Sequence, residues 1–154
     1  MKSLYQQKRE QGFTIIEVMI VLAIAGVIML IVFLAIPALQ RNNRNTQRKS
    51  DVAHLSGVIS EWESNNAGKA VTGWNGSTGP DLSKENFSIV TAPTTVQDAS
   101  TGTSKKSTSV DDPVVNTGAT CDGTALVASQ GKRSVAISYL VETSGGGTAE
   151  QCTN

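Results

Sequence analysis

The sequence predicts an α+β fold: one long N-terminal α-helix, membrane-spanning in its first half and amphipathic in its second, packed on a small antiparallel β-sheet head. Three observations carry that expectation. From Phe13 to Leu39 the chain is uncharged and mostly apolar except for one carboxylate, Glu17. Beyond it, Val52, Leu55, Ile59 and Trp62 recur at spacings of three, four and three, which is one face of a helix. Near the C-terminus, Val135, Ile137, Tyr139 and Val141 alternate with Ala136, Ser138 and Leu140, an imperfect period of two.

Length and composition set bounds on the rest. The chain of 154 residues suits one folded domain beyond the N-terminal segment. Thirteen basic residues balance thirteen acidic ones, so bulk charge selects no class of partner. Charge is nevertheless uneven: Lys2, Lys8 and Arg9 stand against Glu10 near the start, and Arg41, Arg44, Arg48 and Lys49 follow the apolar run with no acid among them. Aromatic residues make up 5% of the chain and long aliphatics thin out after Leu39, so the soluble core is small. Cys121 and Cys152 read as one disulfide of an exported domain, with two free buried thiols as the alternative. The bond would close a loop of roughly 30 residues and contribute about 3–4 kcal/mol in the chain-entropy description.

Val18 to Leu39 gives 22 uncharged residues, about 30 Å as a helix and long enough to cross a bilayer core. A cleaved signal peptide has a shorter apolar stretch and a small-residue cleavage site, and Gln40-Arg41-Asn42-Asn43 resembles no such site. A plain single-pass anchor accounts for the length but not for Glu17. A lone carboxylate in hydrocarbon costs roughly 2.5–3.5 kcal/mol on insertion scales, so it calls for a partner.

Gly12-Phe13-Thr14-Ile15-Ile16-Glu17, ahead of the Val-Met-Ile-Val-Leu-Ala-Ile run, resembles the class III leader of type IV pilins and related type IV filament subunits. The resemblance is carried by residues 1 to about 60. It implies a basic leader, Met1–Gly12, removed by a prepilin peptidase between Gly12 and Phe13, followed by N-methylation of Phe13. It also implies a role in assembly for Glu17. The cationic amine of Phe13 would pair with Glu17, within one subunit as i and i+4 neighbours or between an incoming subunit and one already docked. The intersubunit pairing would set the axial register.

Two departures from the family pattern stand out. Three basic residues precede the span and four follow it, so the positive-inside count does not give orientation, and the resemblance puts the leader in the cytoplasm. Gly26 matches a helix-weakening glycine of the family, but Leu34 occupies the expected proline site and Pro37 follows three residues later. An interior proline removes a backbone hydrogen bond, so Gly26 and Pro37 are the expected weak points of the helix.

The helix is expected to run from about Thr14 to Asn66, where Asn65-Asn66-Ala67-Gly68 supplies a stop signal. Its basic stretch at 41–49 reads either as a solvated interfacial collar or as a contact for acidic groups of neighbouring subunits or lipid headgroups. Residues 69–123 are rich in Ser, Thr, Gly, Asn and Asp and read as loop-dominated, with short strands near Phe87–Ala92 and Val114–Asn116. Thr124–Ser129 and Ser134–Glu142 flank Gln130-Gly131-Lys132-Arg133 and are expected to form an antiparallel hairpin covering the Val52–Trp62 stripe. The tail from Gly145 to Asn154 would be pinned by a Cys121–Cys152 bond to the loop before that hairpin, as in the disulfide-bounded region of many type IV pilins. The expected division is 1–12 leader, 13–39 apolar helix, 40–67 amphipathic helix and 68–154 head.

Other chemistry finds little support. His54 is the only histidine, which excludes a multi-histidine metal site and any His-based triad. Asp111, Asp112 and Asp122 have no calcium-loop spacing and read as solvated loop residues, although some secretion pseudopilins hold calcium in this region. Lys105-Lys106 and Lys132-Arg133 offer a nucleic acid some positive charge, without interleaved aromatics or net charge to support it. Asn75-Gly76-Ser77 and Asn86-Phe87-Ser88 match a glycosylation pattern that arises often by chance. The expectation is a structural protein, not an enzyme, with no cofactor and no metal. The resemblance implies a prepilin held in the cytoplasmic membrane and then polymerised with copies of itself into a surface filament for adhesion, twitching motility or DNA uptake. The resemblance further implies a membrane assembly platform and a cytoplasmic ATPase. The alternatives are a type II secretion pseudopilin and a single-pass anchored binding module.

Overall fold

The computed structural model describes residues 12–93, 96–99, 104–129, 131 and 133–154. The leader residues Lys2, Lys8, Arg9 and Glu10 therefore lie outside the described residues, as do Gln130 and Lys132 of the expected turn. The chain divides into two compact units, Met1–Leu39 and Gln40–Asn154. A single helix, α1 (Ile15–Asn65), contributes to both and is unbroken through Gly26 and Pro37.

In the first unit α1 buries nothing: the large apolar side chains from Phe13 to Leu39 are exposed. This part of the helix is long and apolar enough to cross a membrane. In the second unit α1 buries Arg48, Asp51, Val52, Leu55 and Ile59, the stripe that the spacing predicts. The helix ends with Ala67 and Gly68 both at positive φ (59° and 71°). The Gly68 N–H reaches back to the Glu63 carbonyl at 2.7 Å, the long bond of a Schellman cap.

Six strands follow: β1 (Val96–Asp98), β2 (Val114–Thr117), β3 (Ala119–Asp122), β4 (Ala125–Ala128), β5 (Val135–Glu142) and β6 (Thr148–Thr153). Four form a mixed sheet in the order β1-β2-β5-β6, and β3-β4 is a separate two-stranded ribbon. Only β1-β2 is parallel; β5 pairs with β2 through Val115↔Ile137 and with β6 through Tyr139↔Gln151. The architecture is the α+β arrangement expected.

Strand β5 is buried on both faces, which explains its imperfect alternation. Ile137 and Tyr139 join Val52, Leu55, Ile59, Val71, Leu82 and Val115 in the main core, with Val135, Val141 and Trp62 packed at its margin. The intervening Ala136 belongs to a second cluster with Ala99 and Ala119, flanked by Leu126, Cys121 and Cys152. A small side chain at 136 lets that second layer approach.

Three expectations are corrected. Strand β5 does not form a hairpin with Thr124–Ser129; β4 pairs with β3 across a two-residue turn in which Gly123 sits at φ 61°. Gly118 lies between the two segments, its N–H on the Ser134 carbonyl and its carbonyl on the Ser129 N–H, both at 2.7 Å. Gly123-Thr124, with glycine at the first loop position, is itself a two-residue hairpin signal and outcompetes the longer interval. The disulfide pins the tail to strand β3 and not to a loop, and the tail is itself a strand, since β6 pairs with β5 along its length. Finally, Phe87–Ala92 is not a strand. Its Ser88, Ile89 and Val90 N–H groups all point at one oxygen of the buried Asp51, at 2.9, 2.8 and 3.1 Å, so they are not available to a sheet.

Candidate functional site: the start of the apolar helix

Gly12, Phe13 and Thr14 precede the helix in non-helical backbone, and all three are exposed, Phe13 at 88%. Thr14 occupies the cap position: its carbonyl accepts from the Glu17 N–H at 3.1 Å and the Val18 N–H at 3.4 Å. Glu17 falls in the first turn, where a carboxylate complements the positive end of the helix dipole.

The Glu17 carboxylate has a partner that charge counting overlooks. The Thr14 backbone N–H donates to Glu17 Oε2 at 2.9 Å and the Thr14 hydroxyl to the same oxygen at 2.7 Å. The backbone bond is one arm of a capping box, in which a residue at the third helical position satisfies the N–H of the cap. Thr-x-x-Glu is the sequence signal for it, and Thr14-Ile15-Ile16-Glu17 carries that signal openly. Both bonds use one oxygen, and Oε1 accepts no hydrogen bond among the described residues. The arrangement fixes the carboxylate at the helix start without neutralising its charge. Chemically it offers an accessible peptide bond at Gly12–Phe13, outside the helix, and a half-satisfied carboxylate one turn away.

The other candidate residues lie in the second unit. Cys121 on β3 and Cys152 on β6 form a disulfide with Cα atoms 5.6 Å apart, joining the ribbon to the four-stranded sheet. Of the basic stretch, Arg44 and Arg48 are taken up within the chain. Arg44 pairs with Glu142 through its Nε at 3.0 Å, and the buried Arg48 pairs with Glu142 at 2.9 Å and Asp111 at 3.0 Å. These cations, Arg44 foremost, hold the Glu142 carboxyl down at about 2. Asn45 adds two hydrogen bonds to the Glu142 backbone. His54 lies on the helix flank, 3.2 Å from Glu85 and beside the Phe87 ring. Asp111 is engaged by Arg48, and no group of three metal-ligating side chains occurs among the described residues. Lys106 pairs with Glu150, and Asn75 uses its side-chain oxygen to close a local turn onto Ser77 and Thr78.

Comparison with known proteins agrees with the geometry at the helix start. Residues 7–33 match the family model of the prokaryotic N-terminal methylation motif. That motif is the class III leader of type IV pilin-like precursors, so the chain carries such a leader within its first unit. The match supports a pilin-like or pseudopilin precursor. Neither a curated protein nor a solved structure matches the chain.

Proposed function

We propose that this chain is the structural subunit of a type IV pilus, made as a membrane-held precursor and polymerised into a surface filament. The reading starts from the methylation motif at residues 7–33. The observation that carries it furthest is the coincidence at one helix start of an exposed Gly12–Phe13 bond, a capped Glu17 and an apolar helix with no buried side chain. An exposed apolar surface of this extent needs lipid or another protein to cover it. Lipid serves the precursor, and the helices of other copies serve the filament.

In the precursor the Phe13 nitrogen is an amide and carries no charge. Cleavage after Gly12 turns it into an ammonium, which N-methylation leaves cationic. A cation and a carboxylate attract strongly in a low-dielectric environment, whereas either alone is penalised. Thr14 occupies Oε2 of Glu17, and Oε1 remains for the amine. Because Phe13 lies outside the helix, we assign the amine that Glu17 meets to a neighbouring subunit, where the pair penalises misaligned packing. The partners implied are a prepilin peptidase, an assembly platform and a cytoplasmic ATPase. Adhesion, twitching motility and DNA uptake are the uses such a filament would have.

Mass spectrometry of the chain purified from its own cells tests the first step. The expected mature species begins at Phe13, with one added methyl and two protons fewer for the disulfide. An intact Met1 terminus in cells that make filaments rejects the reading. Glu17→Gln is expected to abolish or strongly slow assembly; normal filament yield would reject the register role alone. Electron microscopy of sheared surface material distinguishes a pilus from a secretion pseudopilus.

A further inference from the structure

Along the part of α1 in the second unit, most charges are spoken for within the chain. Arg44 and Arg48 have ion-pair partners, His54 lies 3.2 Å from Glu85, Asp51 is held by three N–H groups, and Glu63 feels the charge of Arg133. Arg41, Lys49 and Glu61 have no ion-pair partner among the described residues. Lys49 and Glu61 are both exposed and opposite in sign. Arg41 has the same helical phase as Ile59, on the stripe side, which sets it apart from the outward pair.

Glu61 sits at the rim of a groove between the last turns of α1 and the Pro80–Glu85 segment. Val58, Trp62 and Pro80 make its apolar walls, and two carboxylates line it as well, Asp81, 3.9 Å from Lys84, and Glu85, 3.2 Å from His54. Apolar walls beneath carboxylates suit a lysine, whose methylene stem covers apolar surface while its ammonium meets the acids.

Position decides whose lysine this can be. At the pitch of an α-helix, Lys49 and Glu61 are about 18 Å apart along the axis and about 120° apart around it. They cannot meet within one chain. They lie on opposite flanks of the outward face, on either side of the direction away from the covered stripe. A two-fold contact between outward faces does not bring them together: antiparallel copies place the pair on opposite flanks, and parallel copies place it at different heights. A copy set alongside and shifted by about 18 Å along the axis does bring them together. That is a heterologous contact, the kind that propagates into an open helical polymer.

We infer that the groove at Glu61, Asp81 and Glu85 receives Lys49 of a second copy, and that this contact fixes the axial step between adjacent heads. The inference rests on the polymer reading above. A single exposed ion pair holds little by itself, but one repeated at every interface suppresses registers that bring like charges together.

The test is charge reversal in the full chain, expressed in cells that assemble it. Lys49→Glu and Glu61→Lys are each expected to lower sheared polymer about fivefold or more relative to the membrane-held pool. The double reversal is expected to restore at least half of it. A second measurement covers the event that a reversal perturbs folding: Lys49→Cys with Glu61→Cys, treated on intact cells with a flexible thiol-specific bismaleimide that bridges the reach of the lost side chains, is expected to give a ladder of linked chains. Single reversals that assemble normally, a double reversal no better than the singles, or no ladder from assembled polymer would each overturn the inference. If wild-type cells show neither filaments nor a Phe13 terminus, the polymer reading itself fails. If wild type assembles and the reversals are silent, only the Lys49 contact fails, and the groove serves a different basic partner or none.

Discussion

Glu142, at the end of β5, lies 2.9 Å from the guanidinium of Arg48, a side chain buried to 3% exposure on α1. Two more interactions converge there: Arg44 pairs with the same carboxylate and Asn45 exchanges two hydrogen bonds with the Glu142 backbone. The helix is thus tied to the central strand of the sheet by side chains from three positions within two turns.

Removing Glu142 strands a buried cation, whereas removing Arg44 does not. Glu142→Ala is expected to destabilise the head by about 2–3 kcal/mol, since Arg48 keeps as its charged partner the half-exposed Asp111, with a 3.3 Å hydrogen bond to the Asn45 side-chain oxygen. Arg44→Ala, at a side chain 44% exposed, is expected to cost much less. Denaturant unfolding of the full chain in detergent gives both values, and an inverted order would refute the assignment of Arg48 as the dependent partner.

Acid sensitivity follows from two carboxylates. The Glu142 carboxyl is held at about 2, chiefly by its hydrogen bond from Arg44. Burial pushes the Asp51 carboxyl up, but the N–H groups of Ile89, Ser88 and Val90 together outweigh it and leave it below its ordinary value. Both groups are depressed on folding, so their stabilisation is complete above the unfolded value near 4 and disappears as pH falls toward 2. Unfolding midpoints measured from pH 7 down to 2 should be flat at first and drop below about pH 4.5. In Asp51→Asn the drop should be shallower, because one of the two titrating groups is gone.

Glu63 runs the other way. Burial raises its carboxyl, and the Val71 N–H and the Arg133 charge offset this only in part. One of its oxygens, Oε1, is buried with no hydrogen-bond partner among the described residues. The residue also sits in the last turn of α1, where the helix dipole disfavours an anion. A raised acid destabilises the fold at neutral pH, so Glu63→Gln is expected to stabilise it by roughly 0.5–1 kcal/mol. The gain should shrink as pH falls and the wild-type carboxyl protonates. A loss of stability at pH 7 would contradict this.

Ala67 holds φ 59° at the helix stop. A Cβ in that conformation costs roughly 1 kcal/mol relative to glycine. Ala67→Gly is therefore expected to raise stability by about 0.5–1 kcal/mol at unchanged spectroscopic helix content, a difference that thermal unfolding resolves.

The helix was legible because its signals are local: an uninterrupted apolar run, a stripe at Val52, Leu55, Ile59 and Trp62, and a stop at Asn65–Gly68. The strand content of Val135–Glu142 was legible for the same reason. Its partners were not, because pairing is a competition, and the Gly123-Thr124 turn claims β4 for β3. The order in residues 69–93 and 104–113 was the least legible. It comes from single polar side chains reaching far along the chain, such as Asp51 to Val90 or the Asn116 amide, which bonds both the N–H and the carbonyl of Lys105. No periodicity announces such contacts. At the helix start, Gly12, Phe13 and Glu17 stood out by their spacing. Thr14 was overlooked as a partner, although its distance from Glu17 is the capping-box distance.

The disulfide has a topological consequence. It turns residues 121–152 into a closed covalent ring that contains β4, β5 and most of β6. The exposed bend at Gly145-Gly146-Gly147 lies inside that ring. A protease that cut the chain there would open the ring without releasing a fragment, and β5 and β6 would still be held side by side along their ladder. The head would carry a nick and remain one molecule.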